Sequence, residues 1–369
     1  MERETNVLAV VTLILVLVGI LMAYSTSAVD LESKRFATHV RYAAAGFIIM
    51  CLVAHLDYHV LGHPWIYRPL FILALGLLVL IFAPGFGVEE YGATRWIRLL
   101  GVRFQPSEFA KLALIVILAA KLTENRDRLD RLWGGFLPPL GIAAAFAVLV
   151  AAENDLGVPA TMMVVAIIMM FVAGARVRHL ALSFGVLTIG IGALIFAKGH
   201  RPERMLAFLF RWELKDKAAF QLIQSLSAFA RGGLWGVGPG AGEQKLDYLP
   251  AAHNDFIFAV WGEEMGFIGS VALVLLYVGL LAVALRVARN APDLFGSFLA
   301  AGIIALITFQ TTFVMGMTTG LLPTKGLPLP FVSYGGTALV MSLVLMGVLL
   351  SVARQARPDT DGASCPALT

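Results

Sequence analysis

Long apolar segments separated by shorter polar ones make up most of this chain. Ten of them approach the roughly 20 mostly apolar residues that a membrane-spanning helix needs. They cover residues 6–24, 40–56, 69–83, 107–122, 136–152, 156–173, 180–197, 257–286, 297–317 and 332–353. Because lipid offers no partners for backbone N–H and C=O groups, each span must be a helix. The pattern predicts an all-α polytopic membrane protein with about ten transmembrane helices and a long loop between helices 7 and 8.

The composition agrees with a membrane protein. Hydrophobic residues make up 59% of the chain and charged residues 14%, whereas soluble domains carry about 25% charged residues. A net charge of +4 gives little support to nucleic-acid binding. We expect one integral-membrane domain over residues 1–357 and a polar C-terminal tail over residues 358–369. Cys51 and Cys365 cannot form a disulfide framework.

The distribution of Lys and Arg predicts the orientation of the spans. An even number of spans puts both termini on one side, where the short connecting segments hold more cations than those on the other side. By the positive-inside rule both termini are cytoplasmic and the long loop is extracytoplasmic. Arg95, Arg103 and Arg204 then lie outside against the rule. They either serve an anionic ligand or simply contact water and lipid headgroups, and the sequence leaves both interpretations open.

The polar end of the long loop carries one carboxylate at the boundary of an apolar helix. Residues 246–266 read LDYLPAAHNDFIFAVWGEEMG, so that Asp255 comes directly before the apolar run. An ionisable group at the mouth of a membrane helix is energetically costly, and by default it indicates a functional site.

A second candidate segment, ATRWIRLLGVRFQPSEFAK, leads into the fourth span. Ser107 is predicted to be the N-cap of that helix, with Glu108 in its first turn. Lys111 follows Glu108 at i+3, so these two side chains can pair with each other. Alternatively, Lys111 joins Arg103 and Arg95 in a cationic surface that binds a phosphate at membrane depth.

A very short turn with the sequence Glu-Asn-Asp connects the fifth and sixth predicted spans. Its last residue, Asp155, is explained equally well as the N-cap of the sixth span or as a residue of an outward-facing site.

The long loop contains a two-faced helical segment, FQLIQSLSAFAR. Its apolar face is predicted to hold Phe220, Ile223, Leu226 and Ala230, and its other face Gln221, Gln224, Ser225 and Ala228. An interfacial helix is the simpler interpretation. The two amides and the hydroxyl are also suited to binding sugar hydroxyls. The glycine-rich stretch that follows lacks the preceding strand of a nucleotide-binding loop, so a close backbone approach or a re-entrant turn fits it better.

Residues 320–336, GLLPTKGLPLPFVSYGG, cannot form a continuous helix because three prolines and a Gly-Gly pair interrupt them. Irregular backbone at membrane depth lines a cavity or packs inside protein. The segment closes the outer side of the last two spans, in the same compartment as Asp255, and contributes Lys325 and Ser333 as candidate binding residues.

These motifs together resemble the SEDS proteins, the FtsW/RodA/SpoVE family of bacterial cell-wall polymerases. The resemblance is carried by TRWI with QPSEFAK, DLG after the fifth span, QxxQS, HxDFIFAxxxEExGFxG and the terminal LPxPxxSYGG, and it covers about residues 5–357. The stretches QKLDYLPAAH and LPTKGLPLPF are more similar to the FtsW-type branch than to RodA. Two departures are visible: Asn254 stands where Thr usually precedes the aspartate, and Asn154 where Pro usually precedes Asp155.

The resemblance implies a peptidoglycan glycosyltransferase that polymerises lipid II at the outer face of the bacterial cytoplasmic membrane, during cell division or cell-shape maintenance. Asp255 would be its catalytic carboxylate. The candidate substrate-binding residues, from the motifs and the resemblance together, are Arg95, Trp96, Arg103, Gln105, Glu108, Lys111, Asp155, Arg204, Gln221, Gln224, Ser225, Lys325 and Ser333.

The resemblance also implies partners, and two rival functions remain open. The expected partners are a class B penicillin-binding protein with transpeptidase activity and other membrane proteins of the division or elongation machinery. Carboxylates near a pyrophosphate also suit Mg²⁺ or Mn²⁺, so the sequence leaves a divalent cation open. The rivals are a lipid II flippase and an elongation polymerase of the RodA type, while a pure scaffold would leave Asp255, Lys111 and Arg103 unexplained.

Overall fold

The structure is a computed structural model, and it describes residues 2–27, 35–90, 93–99, 102–197, 206, 208–210, 213, 219–248 and 254–356. Within these residues, ten helices lie where the ten spans are predicted. They are α1 (Glu2–Ser27), α2 (Arg35–His55), α4 (Pro64–Leu80), α5 (Pro106–Glu124), α6 (Leu137–Ala152), α7 (Gly157–Val172), α8 (Val177–Ala197), α10 (Ile257–Arg289), α11 (Leu294–Thr318) and α12 (Gly336–Gln355). The shorter helices α3 (His59–Gly62) and α9 (Phe220–Gly232) lie outside the predicted spans. The predicted polytopic all-α architecture is thereby confirmed, and the predicted tail lies outside the described residues.

The helices have the length and surface of a multi-pass membrane protein. Within the described part of the chain, six helices are long and apolar enough to cross a membrane, judged by length and composition alone. Shorter apolar helices accompany them. Helices α5, α11 and α12 pack together and are largely buried. Large apolar side chains such as Leu17, Ile48, Leu52 and Ile72 remain exposed on the outer helices. Exposed apolar area on this scale is what a surface in contact with lipid requires.

A small sheet between α4 and α5 was not predicted. Its three antiparallel strands are β1 (Gly87–Glu90), β2 (Ala93–Leu99) and β3 (Val102–Phe104), in that order. In the register of β2 and β3, Arg98 lies opposite Arg103, and Ile97 of β2 is buried. The sequence of β2, ATRWIRL, does not alternate between polar and apolar residues, so the period of two that usually identifies a strand is missing here.

Three details of the predicted helix boundaries are wrong. The third span begins at Pro64 rather than at residue 69, and Pro69 is tolerated inside its helix. The tenth span begins at Gly336, because the preceding proline-rich residues form a loop. Ser107 is not an N-cap: α5 starts at Pro106, whose ring favours the first helical position, and the Ser107 hydroxyl is buried inside the first turn.

The predicted polar face of α9 is partly buried against the protein. The buried residues are Leu222, Ser225, Ala228 and Gly232, whereas Phe220, on the predicted apolar face, is exposed. Gly232 lies so close to the backbone of Gly262 in α10 that a Cβ would collide with it. Small residues allow such close approach between helices in a membrane, while large apolar side chains can remain outside the protein core.

Helix α10 is kinked at Gly266, and the glycine-rich loop forms hydrogen bonds with the backbone at the kink. Gly266 has φ 67° and ψ −165°, a region of backbone space that is essentially limited to glycine. The N–H groups of Val237 and Gly238 donate to the carbonyls of Glu263 and Glu264, both at 3.0 Å, and the N–H of Phe267 donates to the carbonyl of residue 233 at 2.9 Å. The loop therefore satisfies backbone groups that the helix leaves open.

Replacing Gly266 by Ala should destabilise the protein strongly. The added Cβ would meet the backbone of Gly236 and Leu234 at a positive φ, so we expect a loss of roughly 2–5 kcal/mol. Gly279→Ala in the same helix is the matched control, because nothing lies within 4 Å of the added Cβ there. Thermal unfolding in detergent should show a large fall for the first variant only, and equal midpoints would refute this account of the kink.

Candidate active site

Asp255 lies just before α10, against the loop that connects α11 with α12. It is half-buried, and a Cβ added to Gly326 would lie 3.2 Å from its Oδ2 atom. The Ser333 hydroxyl donates to the carbonyl of Asn254 at 2.7 Å and accepts from the N–H of Leu329 at 2.8 Å. Ser333, a predicted binding residue, is thus buried and joins the loop to the residue before Asp255.

The start of α7, just after the turn between α6 and α7, contacts the same loop. Leu327 packs against Gly157, and the Asp155 carboxylate accepts from the N–H groups of Gly157 at 2.8 Å and Val158 at 3.5 Å. Arg95 from β2 lies 3.4 Å from the Asp155 carboxylate and donates to the carbonyl of residue 154 at 3.2 Å. Asp155 therefore caps α7 and pairs with Arg95, while two adjacent loop residues lie against the two sites, Gly326 against Asp255 and Leu327 against Gly157.

Glu153, in the same turn, was missed as a candidate. Its side chain is 2% exposed, and neither carboxylate oxygen has a hydrogen-bond partner among the described residues. Burial away from water raises the pKa of Glu153 to about 8; the Asp155 charge acts in the same direction and Arg95 opposes it. The acid with uncommitted oxygens in this turn is therefore Glu153 rather than Asp155.

The raised pKa of Glu153 predicts a pH-dependent stability. The folded state favours the neutral form of Glu153, so protonated Glu153 contributes to the stability of the fold. This contribution is complete below pH 4.5 and is lost as the pH rises through about 8. Glu153→Gln removes this loss, so the variant should gain up to about 1.4 kcal/mol per pH unit over the wild type within that window. Unfolding midpoints of both proteins at pH 5, 6.5 and 8 would measure it. A difference between them that stays constant with pH would show that Glu153 has an ordinary pKa.

Glu108 and Lys111 form a buried ion pair beneath the loop. The Lys111 ammonium lies 2.8 Å from Glu108 Oε1, and both side chains are 4% exposed. A small pocket next to Glu108 is lined by Gln310, Ser333 and the segment 328–331, among others. The pairing anticipated from the i+3 spacing is present, and it leaves the Lys111 ammonium little access to a ligand.

The other predicted residues of the sheet surround the start of α5. Trp96 is half-buried in β2, and Arg103 is exposed in β3. The N–H of Gln105 donates to the Thr337 hydroxyl, which itself donates to the carbonyl of Arg103, both at 3.3 Å. The sheet is thereby attached to the start of α12. Lys325, in the loop beside Gly326, is half-buried, and Arg204 lies outside the described residues.

On α9, only two of the three predicted polar residues have accessible side chains. Gln221 and Gln224 are half-buried. Ser225 is fully buried, and its hydroxyl donates to the carbonyl of Thr318 at the end of α11 at 2.7 Å. This hydroxyl is therefore engaged in helix packing.

Two neighbouring glutamates in α10 form a polar cluster whose roles the sequence analysis did not assign. Glu263 and Glu264 are fully buried. Glu263 accepts from the N–H groups of Glu243 at 3.0 Å and Gln244 at 3.1 Å, and Glu264 from the Lys245 ammonium at 2.6 Å. Adjacent acids in the first turns of a membrane helix were the signal in the sequence.

The described residues do not form a protein-only metal site. No group of three or more His, Cys, Asp or Glu side chains is arranged to hold an ion within the described part of the chain. Asp155 is committed to Arg95 and to the start of α7, so it does not combine with Asp255 into a free carboxylate pair. A divalent cation held together with the substrate phosphates stays a prediction.

Comparisons with known proteins agree on one family. The model of the cell cycle proteins FtsW, RodA and SpoVE matches residues 5–358. A probable peptidoglycan glycosyltransferase FtsW from Geobacter sp. (strain M18) is 44% identical over 364 residues, covering 96% of this chain and 98% of the relative. The stage V sporulation protein E of Bacillus subtilis (strain 168) is 39% identical over 360 residues, covering 95% and 97%.

Two solved structures share the fold over nearly the whole chain. A chain from a peptidoglycan synthase complex that coordinates polymerization and crosslinking has a TM-score of 0.80 and 28% identity, covering 94% of this chain and 96% of that one. The rod shape determining protein RodA of Thermus thermophilus has a TM-score of 0.70 and 27% identity, covering 95% and 97%.

Proposed function

This chain belongs to the FtsW/RodA/SpoVE family of cell cycle proteins, and we propose that it is a peptidoglycan glycosyltransferase that polymerises lipid II. The names of its FtsW relatives and the match to a peptidoglycan synthase complex support this activity. The observation that carries the proposal is the position of Asp255, half-buried at the mouth of α10 and covered by the loop of Gly326 and Ser333.

Asp255 is the proposed general base of the transfer. Polymerisation requires the 4-hydroxyl of the acceptor GlcNAc to attack the anomeric carbon of the donor MurNAc, with lipid pyrophosphate as the leaving group. A hydroxyl is a poor nucleophile at neutral pH, so a positioned carboxylate that takes its proton accelerates the attack. Attack opposite the leaving group converts the α-linked donor into a β-linked glycan.

The leaving pyrophosphate needs positive charge, and the sheet supplies it. Arg103 is exposed, and Arg95 is partly exposed beside Asp155, in the turn that contacts the loop covering Asp255. Cations that stabilise the developing negative charge lower the barrier to departure. Arg95 can reach a phosphate by releasing the 3.4 Å contact with Asp155.

The proposed setting is the bacterial cytoplasmic membrane, with both termini cytoplasmic and Asp255 facing outward. The excess of Lys and Arg on the side of the termini supports this orientation. The proposed partner is a class B penicillin-binding protein. An apolar groove between α10 and α11, lined by Val274, Val278 and Ile304 among others, offers a surface for a membrane helix.

The test is incubation of the purified protein with lipid II, alone and with a class B penicillin-binding protein. The proposal predicts a glycan polymer that a muramidase specific for β-1,4 linkages digests completely. A polymer that resists the muramidase would contradict the inverting mechanism, and no polymer under either condition would overturn the proposed activity.

A further inference from the structure

A buried lysine joins the end of the long loop to two membrane helices. The Lys245 ammonium donates to Glu264 Oε1 in α10 at 2.6 Å, to the Ser25 hydroxyl in α1 at 2.6 Å and to the carbonyl of Gly240 at 2.7 Å. The Ser25 hydroxyl in turn donates to Glu264 at 2.5 Å. The side chains of Lys245 and Glu264 are 3% and 0% exposed. All three donor positions of the ammonium are therefore used.

Asp255 lies between the two residues of this ion pair in the sequence. Lys245 lies ten residues before Asp255, and Glu264 lies nine residues after it. The Glu263 carboxylate accepts from the backbone N–H of Gln244 at 3.1 Å, so the same point of the loop is held twice. The turn Gln244–Tyr248 is thereby fixed on α10 before the chain reaches Asp255.

We propose that Lys245 is a positioning residue for Asp255, acting through its buried contacts with Glu264 and Ser25. The inference rests on the proposed function, since it assumes that Asp255 is the base. A base must lie within hydrogen-bond reach of its proton, and a displacement of about 1 Å can reduce the rate on the order of 100-fold. A buried ammonium leaves few alternative arrangements, because each must satisfy its charge and its donors. Through Ser25, the position of α1 also affects this geometry.

The experiment compares wild type, Lys245→Met, Ser25→Ala and Ser25→Thr in lipid II polymerisation and in amide hydrogen exchange. Lys245→Met removes the charge with little change in volume. Ser25→Ala is the mild variant that keeps the ion pair, and Ser25→Thr keeps the hydroxyl. Lys121→Met, which breaks the partly exposed pair with Glu124 at the other end of α5, is the control.

We expect kcat of Lys245→Met to fall about 10- to 100-fold with KM for lipid II within about twofold. Exchange should rise most strongly in peptides covering residues 240–258. Ser25→Ala should lose several-fold in kcat, while Ser25→Thr and Lys121→Met should match wild type.

Two results would overturn the positioning role. One is an unchanged kcat in Lys245→Met despite faster local exchange; the other is a fall in activity that only follows the loss of folded protein. If wild type itself makes no polymer, the proposed function fails. The exchange measurement then still decides whether Lys245 holds the loop, and unchanged exchange in residues 240–258 would refute that contact.

Discussion

Asp255→Asn should abolish lipid II polymerisation while leaving the folded protein intact. The amide has nearly the same shape as the carboxylate but cannot accept the proton of the attacking hydroxyl, so we expect a fall of about 10²- to 10⁴-fold in kcat. Binding of lipid II should persist, because the substitution removes a group that acts in the transition state. Polymer formation on gels and lipid II binding by the same preparation would measure both effects.

Asp130→Asn is a matched control for this substitution. Asp130 is exposed and forms an ion pair with Arg176. Both residues follow the C-terminal ends of α5 and α7, whereas the candidate site lies at the N-terminal ends of these helices, so the variant should polymerise like wild type. Polymer synthesis by Asp255→Asn at the wild-type rate would remove Asp255 from the mechanism. A parallel loss of polymerisation and lipid II binding would instead assign Asp255 to substrate binding.

Lys111→Met should cause the second large effect, on stability. The substitution leaves the Glu108 carboxylate buried without its ammonium partner, and breaking a buried pair costs roughly 3–5 kcal/mol. The double variant Glu108→Gln with Lys111→Met should recover most of this loss, because no charge is then left unpaired. Thermal unfolding of the single and double variants in detergent measures the difference.

The same helix offers a control for the buried pair. Lys121 and Glu124 have the same three-residue separation in α5 and lie 2.7 Å apart, but both are partly exposed. Lys121→Met should therefore change stability by only about 0–1 kcal/mol. If Lys111→Met were as stable as Lys121→Met and lost only its affinity for lipid II, Lys111 would be a pyrophosphate ligand rather than a buried ion-pair partner.

The sequence predicts the helices well because membrane burial leaves a simple pattern. The ten apolar segments reappear as ten helices in the described residues, and the position of Asp255 at the start of α10 follows from the abrupt change from polar to apolar residues. The i+3 spacing of Glu108 and Lys111 likewise anticipates their contact. These features are local, so that neighbouring residues along the chain are enough to reveal them.

The features that sequence reasoning missed depend on distant contacts. Lys245 meets Ser25 across 220 positions of the chain, and no spacing rule connects such residues. The side of α9 that packs on the protein could not be predicted, because hydrophobicity does not distinguish protein from lipid as the neighbour of an apolar side chain. Glu153 was overlooked because its raised pKa comes from its burial, and no local sequence pattern predicts that burial.

The most direct test of the proposed activity is one reconstitution that separates polymerisation from transport. Fluorescent lipid II would be incorporated into liposomes with the purified protein, and polymer formation and transbilayer movement of the label would be followed in the same sample. We predict glycan polymer with wild type, background levels with Asp255→Asn, and transbilayer movement no faster than in protein-free liposomes. Movement of lipid II without any polymer would contradict the glycosyltransferase and identify a flippase.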